Sequence, residues 1–270
     1  MNGLDLKIDK EKCTKCGLCA KACDMEVIFI GRDGYPRVYE KNSGGCLKCQ
    51  HCFAACPTGA FSIFGKKPDN SVPARAYVKP EDMLGLIKTR RSCRHFKQEN
   101  IQPATLNKLK DMLAWAPTGC NDHGLYFAVI DDAGKMKKFV ALVNGKLIKI
   151  LKLLPSFGRI KELKGYLTGN RDIIFRNAPH MIVVCVSKKA PCKRQDPVIA
   201  LSYFELYANT LGIGTLWCGF ATVCLKLFPS LRRELGIPGT HKVGYVMMFG
   251  VPALNFERGT QPEPYPFSKI

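Results

Sequence analysis

The chain has 270 residues, 46% of them hydrophobic and 23% charged, the balance of a folded globular protein rather than a disordered one. Lys and Arg outnumber Asp and Glu by 41 to 22, a formal charge of +19 that suits an acidic partner, a nucleic acid or an anionic membrane. No nucleic-acid recognition motif accompanies the charge, so a nucleic acid is not the expected partner. The first residues carry charge and lack the apolar stretch of a secretory signal, which points to a cytoplasmic protein. In that setting the 14 Cys are expected to bind metal rather than form disulfides.

The first element in chain order is a duplicated cysteine run. Cys13-x2-Cys16-x2-Cys19-x3-Cys23 recurs with the same spacing as Cys46-x2-Cys49-x2-Cys52-x3-Cys56. A short strand-like segment precedes each run (Leu6–Ile8 and Arg37–Tyr39), and another follows it (Val27–Ile30 and Ala60–Phe64). Iron is held by soft thiolates, and the tight spacing turns the chain so that three of them face one cluster while the fourth comes from farther away. Zinc also uses CxxC pairs, but it needs four ligands per site and no third Cys at the tight second spacing. Residues 1–66 therefore resemble the bacterial-type ferredoxins with two [4Fe–4S] clusters. That resemblance implies crossed ligation: Cys13, Cys16, Cys19 and Cys56 hold one cluster, and Cys46, Cys49, Cys52 and Cys23 hold the other. The second run ends in Cys56-Pro57, as the ferredoxin pattern does, whereas the first ends in Cys23-Asp24. His51 is expected to pack or to face solvent. The other six Cys (93, 120, 185, 192, 218 and 224) have no paired spacing, and none has a base beside it that would make a nucleophile.

Residues 67–79 are polar, with Pro68 and Pro73, and are expected to form a linker to a domain spanning 80–270. In that domain helices and strands alternate. A short helix is predicted from Pro80. Another begins at Pro103, with Leu106, Leu109 and Leu113 on one face. Phe127–Ile130, Met181–Val186 and Val243–Phe249 are predicted to be buried strands. Asp196-Pro197 is expected to cap and open an almost wholly apolar helix that Gly212 stops. From Val198 to Leu225 the only charge is Glu205; this is long enough for a membrane span, but Gly212, Gly214 and Gly219 break it into a buried helix and a buried strand. The Lys/Arg-rich stretch from Gly145 to Arg176 is expected to be a solvated helical face. The expected fold is α+β, a ferredoxin-like module fused to a larger α+β domain.

Four segments of the second domain carry chemistry. Arg90-Arg91-Ser92-Cys93-Arg94-His95-Phe96 places three guanidiniums and a hydroxyl at a helix end, a cluster suited to a phosphate or a polarised carbonyl. Ala116-Pro117-Thr118-Gly119-Cys120-Asn121 follows the Pro103 helix, Gly212-x-Gly214-Thr215-Leu216-Trp217-Cys218-Gly219 follows the apolar helix, and Gly250-Val251-Pro252 closes the series. In this order they resemble the FMN-dependent nitroreductase family over about residues 81–258. The resemblance implies that Arg90, Ser92 and Arg94 contact the phosphate, ribityl chain and pyrimidine edge of FMN. It also implies that the loop carrying Pro117, Thr118 and Asn121 packs on FMN from the partner subunit, and that the backbone at Cys218 and Gly219 approaches the flavin N5. Arg258 is the candidate for a late phosphate contact. Two positions depart from the pattern: His123 stands where the family has Gln, and Gly124 where it has Pro.

The expectation for function follows. The chain is an iron–sulfur flavoprotein oxidoreductase that takes electrons from a ferredoxin or another iron–sulfur donor. It passes them through two [4Fe–4S] clusters to FMN and on to a small conjugated acceptor, such as a nitroaromatic, quinone or enone. The alternative is an electron-transfer or redox-sensing protein without a small substrate of its own. No side chain is assigned a catalytic role, no dinucleotide fingerprint is present, and a homodimer is expected.

Overall fold

The computed structural model describes residues 4–75, 77–153, 165–166 and 172–269. It divides into two compact units, Met1–Tyr77 with Cys120–Asp122, and Val78–Gly119 with His123–Ile270. The polar stretch 67–75 stays with the first unit and contains one 3-10 turn, Pro68–Asn70.

The first unit is built twice over. Strand β1 (Lys7–Ile8) pairs antiparallel with β4 (Phe61–Ser62), and β2 (Ile28–Ile30) pairs with β3 (Pro36–Val38). One-turn helices α1 (Leu18–Lys21) and α2 (His51–Ala54) sit inside the two cysteine runs. The duplication extends to the backbone. Lys15 and Lys48 have φ of 57° and 53°, and Gly17 and Gln50 have 74° and 61°. Each pair occupies the same place in its run. These left-handed residues turn the chain between successive Cys, which is what lets three thiols of a short segment face one point. Leu4, Val27, Ile28, Cys52, Phe61 and Ile63 form the buried core beneath them.

The second unit is a four-stranded antiparallel sheet with helices on both faces. Its order is β5 (Leu125–Ile130), β6 (His180–Ser187), β8 (His241–Gly250), β7 (Gly214–Trp217). The two-residue period of the strands splits the core into two layers. Met181, Val183, Val246 and Met248 face α5 (Ala133–Lys152) and α7 (Gly219–Leu227), through Phe139, Val143, Ala221 and Leu225. Ile182, Val184, Met247 and Phe249 face α4 (Pro103–Asp111) and α6 (Gln195–Thr210), through Leu109, Leu201, Phe204 and Ala208. Helix α3 (Pro80–Thr89) leads into the Arg90–Arg94 segment, and α8 (Pro229–Glu234) follows α7.

Several expectations change. The Asp196 side chain does not cap α6, because Arg194 occupies the N-cap position and buried Asp196 accepts a hydrogen bond from Gly119 N–H at 3.0 Å. Strand β5 is only half-buried, since it edges the sheet. The Val198–Leu225 run resolves into α6, β7 and most of α7, and among the described residues no helix is long and apolar enough to cross a membrane. Of the basic stretch, Lys149 and Lys152 are exposed on α5, while Arg159, Lys161 and Lys164 lie outside the described residues.

Candidate cofactor sites

In the first unit, one small cavity is lined by Cys13, Cys16 and Cys19 of the first run and by Cys56 of the second, walled by Ile8, Ile30, Pro36 and Phe61. Burial, and then the neighbouring Cys56 and Cys16, push the Cys19 thiol up. The remaining four group in the same crossed way. Burial first, then Cys23, Cys49 and Cys46, push the Cys52 thiol up to about 11. Exposed Cys16 goes the other way, held down by the Leu18 backbone N–H and then by Thr14. Two equivalent hydrogen bonds serve the distant thiols: Val27 N–H donates to Cys23 Sγ at 3.3 Å and Ala60 N–H to Cys56 Sγ at 3.2 Å. Among the described residues, no three His, Cys, Asp or Glu converge closely enough for a single metal ion. Two groups of four thiols, each drawn from both runs, match in number the ligands of two four-iron clusters.

In the second unit, three of the four motif segments meet. Residues 92–97 run extended beside the sheet. Ser92 bridges Thr215, and Cys93 N–H donates to Thr215 O at 2.8 Å. Phe96 bridges Pro252, while Lys97 N–H donates to Val251 O and Ala253 N–H to His95 O. Gly214 makes this junction possible, because a Cβ there would lie 2.7 Å from Cys93 Cβ and 3.0 Å from Pro252 Cγ.

Buried Glu205 ties the junction to α6. Its Oε1 accepts from Arg90 Nη1 at 3.2 Å and from Thr215 Oγ1 at 3.0 Å, and its Oε2 accepts from Trp217 Nε1 at 3.1 Å. Arg90 is thus partly engaged by the protein itself. Arg91 Nη1 donates to Arg90 O, and its buried Nη2 has no hydrogen-bond partner among the described residues. Arg94 is exposed. The carboxy-terminal segment passes nearby: a Cβ on Gly259, next to Arg258, would lie 3.3 Å from Lys88 O and 3.6 Å from Arg91 Nη2. The segment at the end of α3 thus carries three guanidiniums, of which exposed Arg94 has no described protein partner, a chemistry suited to a phosphate.

At the other end of β7, Cys218 N–H donates to Val246 O at 2.9 Å. The Cys218 Sγ caps α7 by accepting from Ala221 N–H and donates to Ile174 O at 3.3 Å. Burial raises the thiols of both Cys218 and Cys93, which suits packing and not nucleophilic attack. Gly219 follows, and a Cβ there would stand 3.2 Å from the Tyr245 hydroxyl.

The Pro117–Asn121 loop does not join this group. Thr118 Oγ1 accepts from His123 N–H at 3.0 Å, and Thr118 and His123 line a separate cleft of about 520 Å³ with Leu113, Leu125 and Phe127. Asn121 belongs to the first unit, where its Nδ2 donates to Leu47 O at 2.9 Å. Glu205 is the site residue that motif reading missed. Its signal was present as the lone charge in the apolar run from Val198 to Leu225.

Comparison with known proteins agrees with this division. The profile of the nitroreductase family matches residues 87–251, and that of a 4Fe-4S dicluster domain matches residues 12–61. A putative NADH dehydrogenase/NAD(P)H nitroreductase of Methanothermobacter thermautotrophicus is 26% identical over 183 residues, covering 66% of this chain and 81% of its own. A stretch of 80 residues is 32% identical to an archaeal-type glutamate synthase [NADPH] of Thermotoga maritima; it is 30% of this chain and spans only 15% of that protein. Among solved structures, a nitroreductase from Bacteroides fragilis with bound FMN superposes with a TM-score of 0.57 at 21% identity, covering 70% of this chain and 99% of the other.

Proposed function

This chain belongs to the nitroreductase family and carries a 4Fe-4S dicluster domain ahead of its family fold, and we propose that it passes electrons from a ferredoxin-type donor to a small conjugated acceptor. It is an FMN- and iron–sulfur-dependent oxidoreductase. When bound, the two [4Fe–4S] clusters supply single-electron relay, and FMN supplies the change from single electrons to a pair.

The observation that carries the reading is the cavity that brings Cys56 to Cys13, Cys16 and Cys19, since a two-cluster module relays single electrons, the currency of a ferredoxin-type donor. Cys13, Cys16, Cys19 and Cys56 hold one cluster; Cys23, Cys46, Cys49 and Cys52 hold the other. Arg90, Ser92, Arg94 and Arg258 bind the phosphate and pyrimidine side of FMN. This assignment is supported by the place of Arg90, Ser92 and Arg94 at the end of α3, where Ser92 bridges Thr215 beside Gly214, and by the passage of Gly259, next to Arg258, close to Lys88. The backbone at Cys218 and Gly219 serves the flavin ring. Pro117, Thr118 and Asn121 act on a partner subunit's flavin in a homodimer. Residues 1–66 form the cluster domain and 80–270 the flavin domain, joined by 67–79.

The test is anaerobic reduction followed by optical spectroscopy. Reduced ferredoxin is expected to bleach both the cluster and flavin absorption, and a quinone or nitroaromatic to restore them. NADH and NADPH are expected to act much more slowly. Rapid bleaching of the flavin alone by a nicotinamide would remove the clusters from the donor path.

A further inference from the structure

We propose that a basic cleft at the far end of the sheet binds a small organic polyphosphate of nucleotide type, at a site separate from the flavin. The cleft has a volume of about 860 Å³. It opens where β6 ends, where α7 gives way to α8, and where β8 begins. Its walls carry Lys188, Lys193, Arg194, Lys226, Arg232, Arg233 and Lys242, together with His241, and among the described residues no carboxylate lines it. Among the described residues, no ion pair involves any of these cations.

This absence of carboxylates is the central observation. Seven like charges around one concavity repel one another, and the usual remedy of interleaved Asp and Glu is missing, so the positive potential is left available to an anion. Arg232 is held in place by donating to Leu225 O at 2.8 Å and to Lys226 O at 2.9 Å, which fixes one edge of the cleft. The floor is different in character. Val186, Ile237 and Val243 are buried apolar residues, and Pro229 and Pro238 flank them.

Cationic walls over an apolar floor suit a ligand with phosphates at one end and a flat organic body at the other. The shape argues against larger partners. An acidic protein needs a broad patch of about 800 Å² per side, and a duplex needs cations spaced along a ridge. The volume instead lies in the range of about 300–1,000 Å³ that encloses a small ligand. The cleft is not the flavin phosphate cluster. Arg90–Arg94 pack at the Gly250 end of β8, whereas the cleft is at its His241 end, about 30 Å along the strand.

The experiment is isothermal titration of cluster-loaded, FMN-replete protein with ADP, inorganic pyrophosphate, adenosine, a short mixed-sequence DNA duplex and an acidic ferredoxin. ADP is expected to bind saturably, one per chain, more weakly as salt rises, and adenosine not to bind. The combined Lys193→Gln, Arg233→Gln, Lys242→Gln variant is expected to lose about tenfold or more in ADP affinity, with FMN and iron content unchanged. These side chains are exposed and make no described structural bonds, so folding is retained, and circular dichroism checks it. Pyrophosphate binding as tightly as ADP would overturn the organic part of the assignment. Unchanged ADP affinity in the variant, or displacement of ADP by the duplex or the ferredoxin at lower concentration, would overturn the site.

Discussion

At the scale of single residues, the informative side chains are those whose partners lie far away in sequence. Cys56 sits in the second cysteine run but lines the cavity of the first. Replacing Cys56 with Ser is therefore expected to damage the cluster held by Cys13, Cys16 and Cys19. Iron in anaerobically purified protein should fall from about eight per chain toward about four. Loss confined to the cluster of Cys46, Cys49 and Cys52, followed by electron paramagnetic resonance, would contradict the crossed ligation. Arg94 and Arg90 provide a contrast. Arg90 shares its charge with Glu205, whereas exposed Arg94 has no described partner and is free to give its full charge to a ligand. Arg94→Ala is expected to weaken FMN binding by about tenfold to a hundredfold, the cost of one charge-assisted contact of about 1.5–3 kcal/mol. Fluorescence titration of the stripped protein measures it, and an unchanged dissociation constant would contradict the role. The cysteine spacing made the first of these sites legible before any fold was known. The role of Glu205 was not legible, because its three partners, Arg90, Thr215 and Trp217, come from separate segments and only the sheet assembles them.

At the scale of elements, local pattern was a good guide wherever one face decides the outcome. Leu106, Leu109 and Leu113 were placed on one face of a helix by period alone, and all three are buried. The run Met181–Val186 is apolar without a break, and β6 is accordingly buried on both faces by helices above and below the sheet. Period fails at ends. Asp196 looked like a cap because cap residues and Pro commonly open helices, yet its carboxylate is drawn to Gly119 N–H, a bond across the fold that outcompetes the local one. Strand β6 also carries a pH dependence. His180 is fully buried at its start, its Nε2 accepts from Ile101 N–H at 3.1 Å, and its Nδ1 has no hydrogen-bond partner among the described residues. Burial lowers its pKa below the ordinary 6.5, against a weaker opposing pull from Asp131 and Asp132. The unfolded chain takes up a proton near pH 6.5 that the folded chain resists, so this stability is complete above that pH and declines below it. Urea unfolding at neutral and mildly acidic pH should show the loss. His180→Phe, though less stable because Ile101 N–H loses its acceptor, should show a smaller loss on acidification. An equal loss in both proteins would assign the dependence elsewhere.

At the scale of the whole molecule, much apolar surface remains exposed on one chain. Trp115, Val198, Tyr203, Phe220, Val223 and Leu227 are all exposed, at 78%, 44%, 46%, 43%, 53% and 65%. Such surface is what a C2 interface covers. A homodimer is the expected assembly, and analytical ultracentrifugation of holo and FMN-stripped protein checks it. A monomer that keeps full flavin occupancy at micromolar concentration would contradict both the dimer and the shared-site role of Pro117, Thr118 and Asn121. The α+β class and the two kinds of cofactor were readable from four short motifs and one repeat. The order of the sheet, β5-β6-β8-β7, was not, because pairing between distant strands leaves no trace in any one segment.

The pairing of β1 with β4 has a consequence for how such a module travels between proteins. Ile8 and Phe61 lie opposite each other on neighbouring strands, so the segment between them leaves and re-enters its surroundings at almost one point. A unit closed in this way can be grafted ahead of, behind or into another protein with a short tether and little disturbance to the host. That makes it a portable electrical socket.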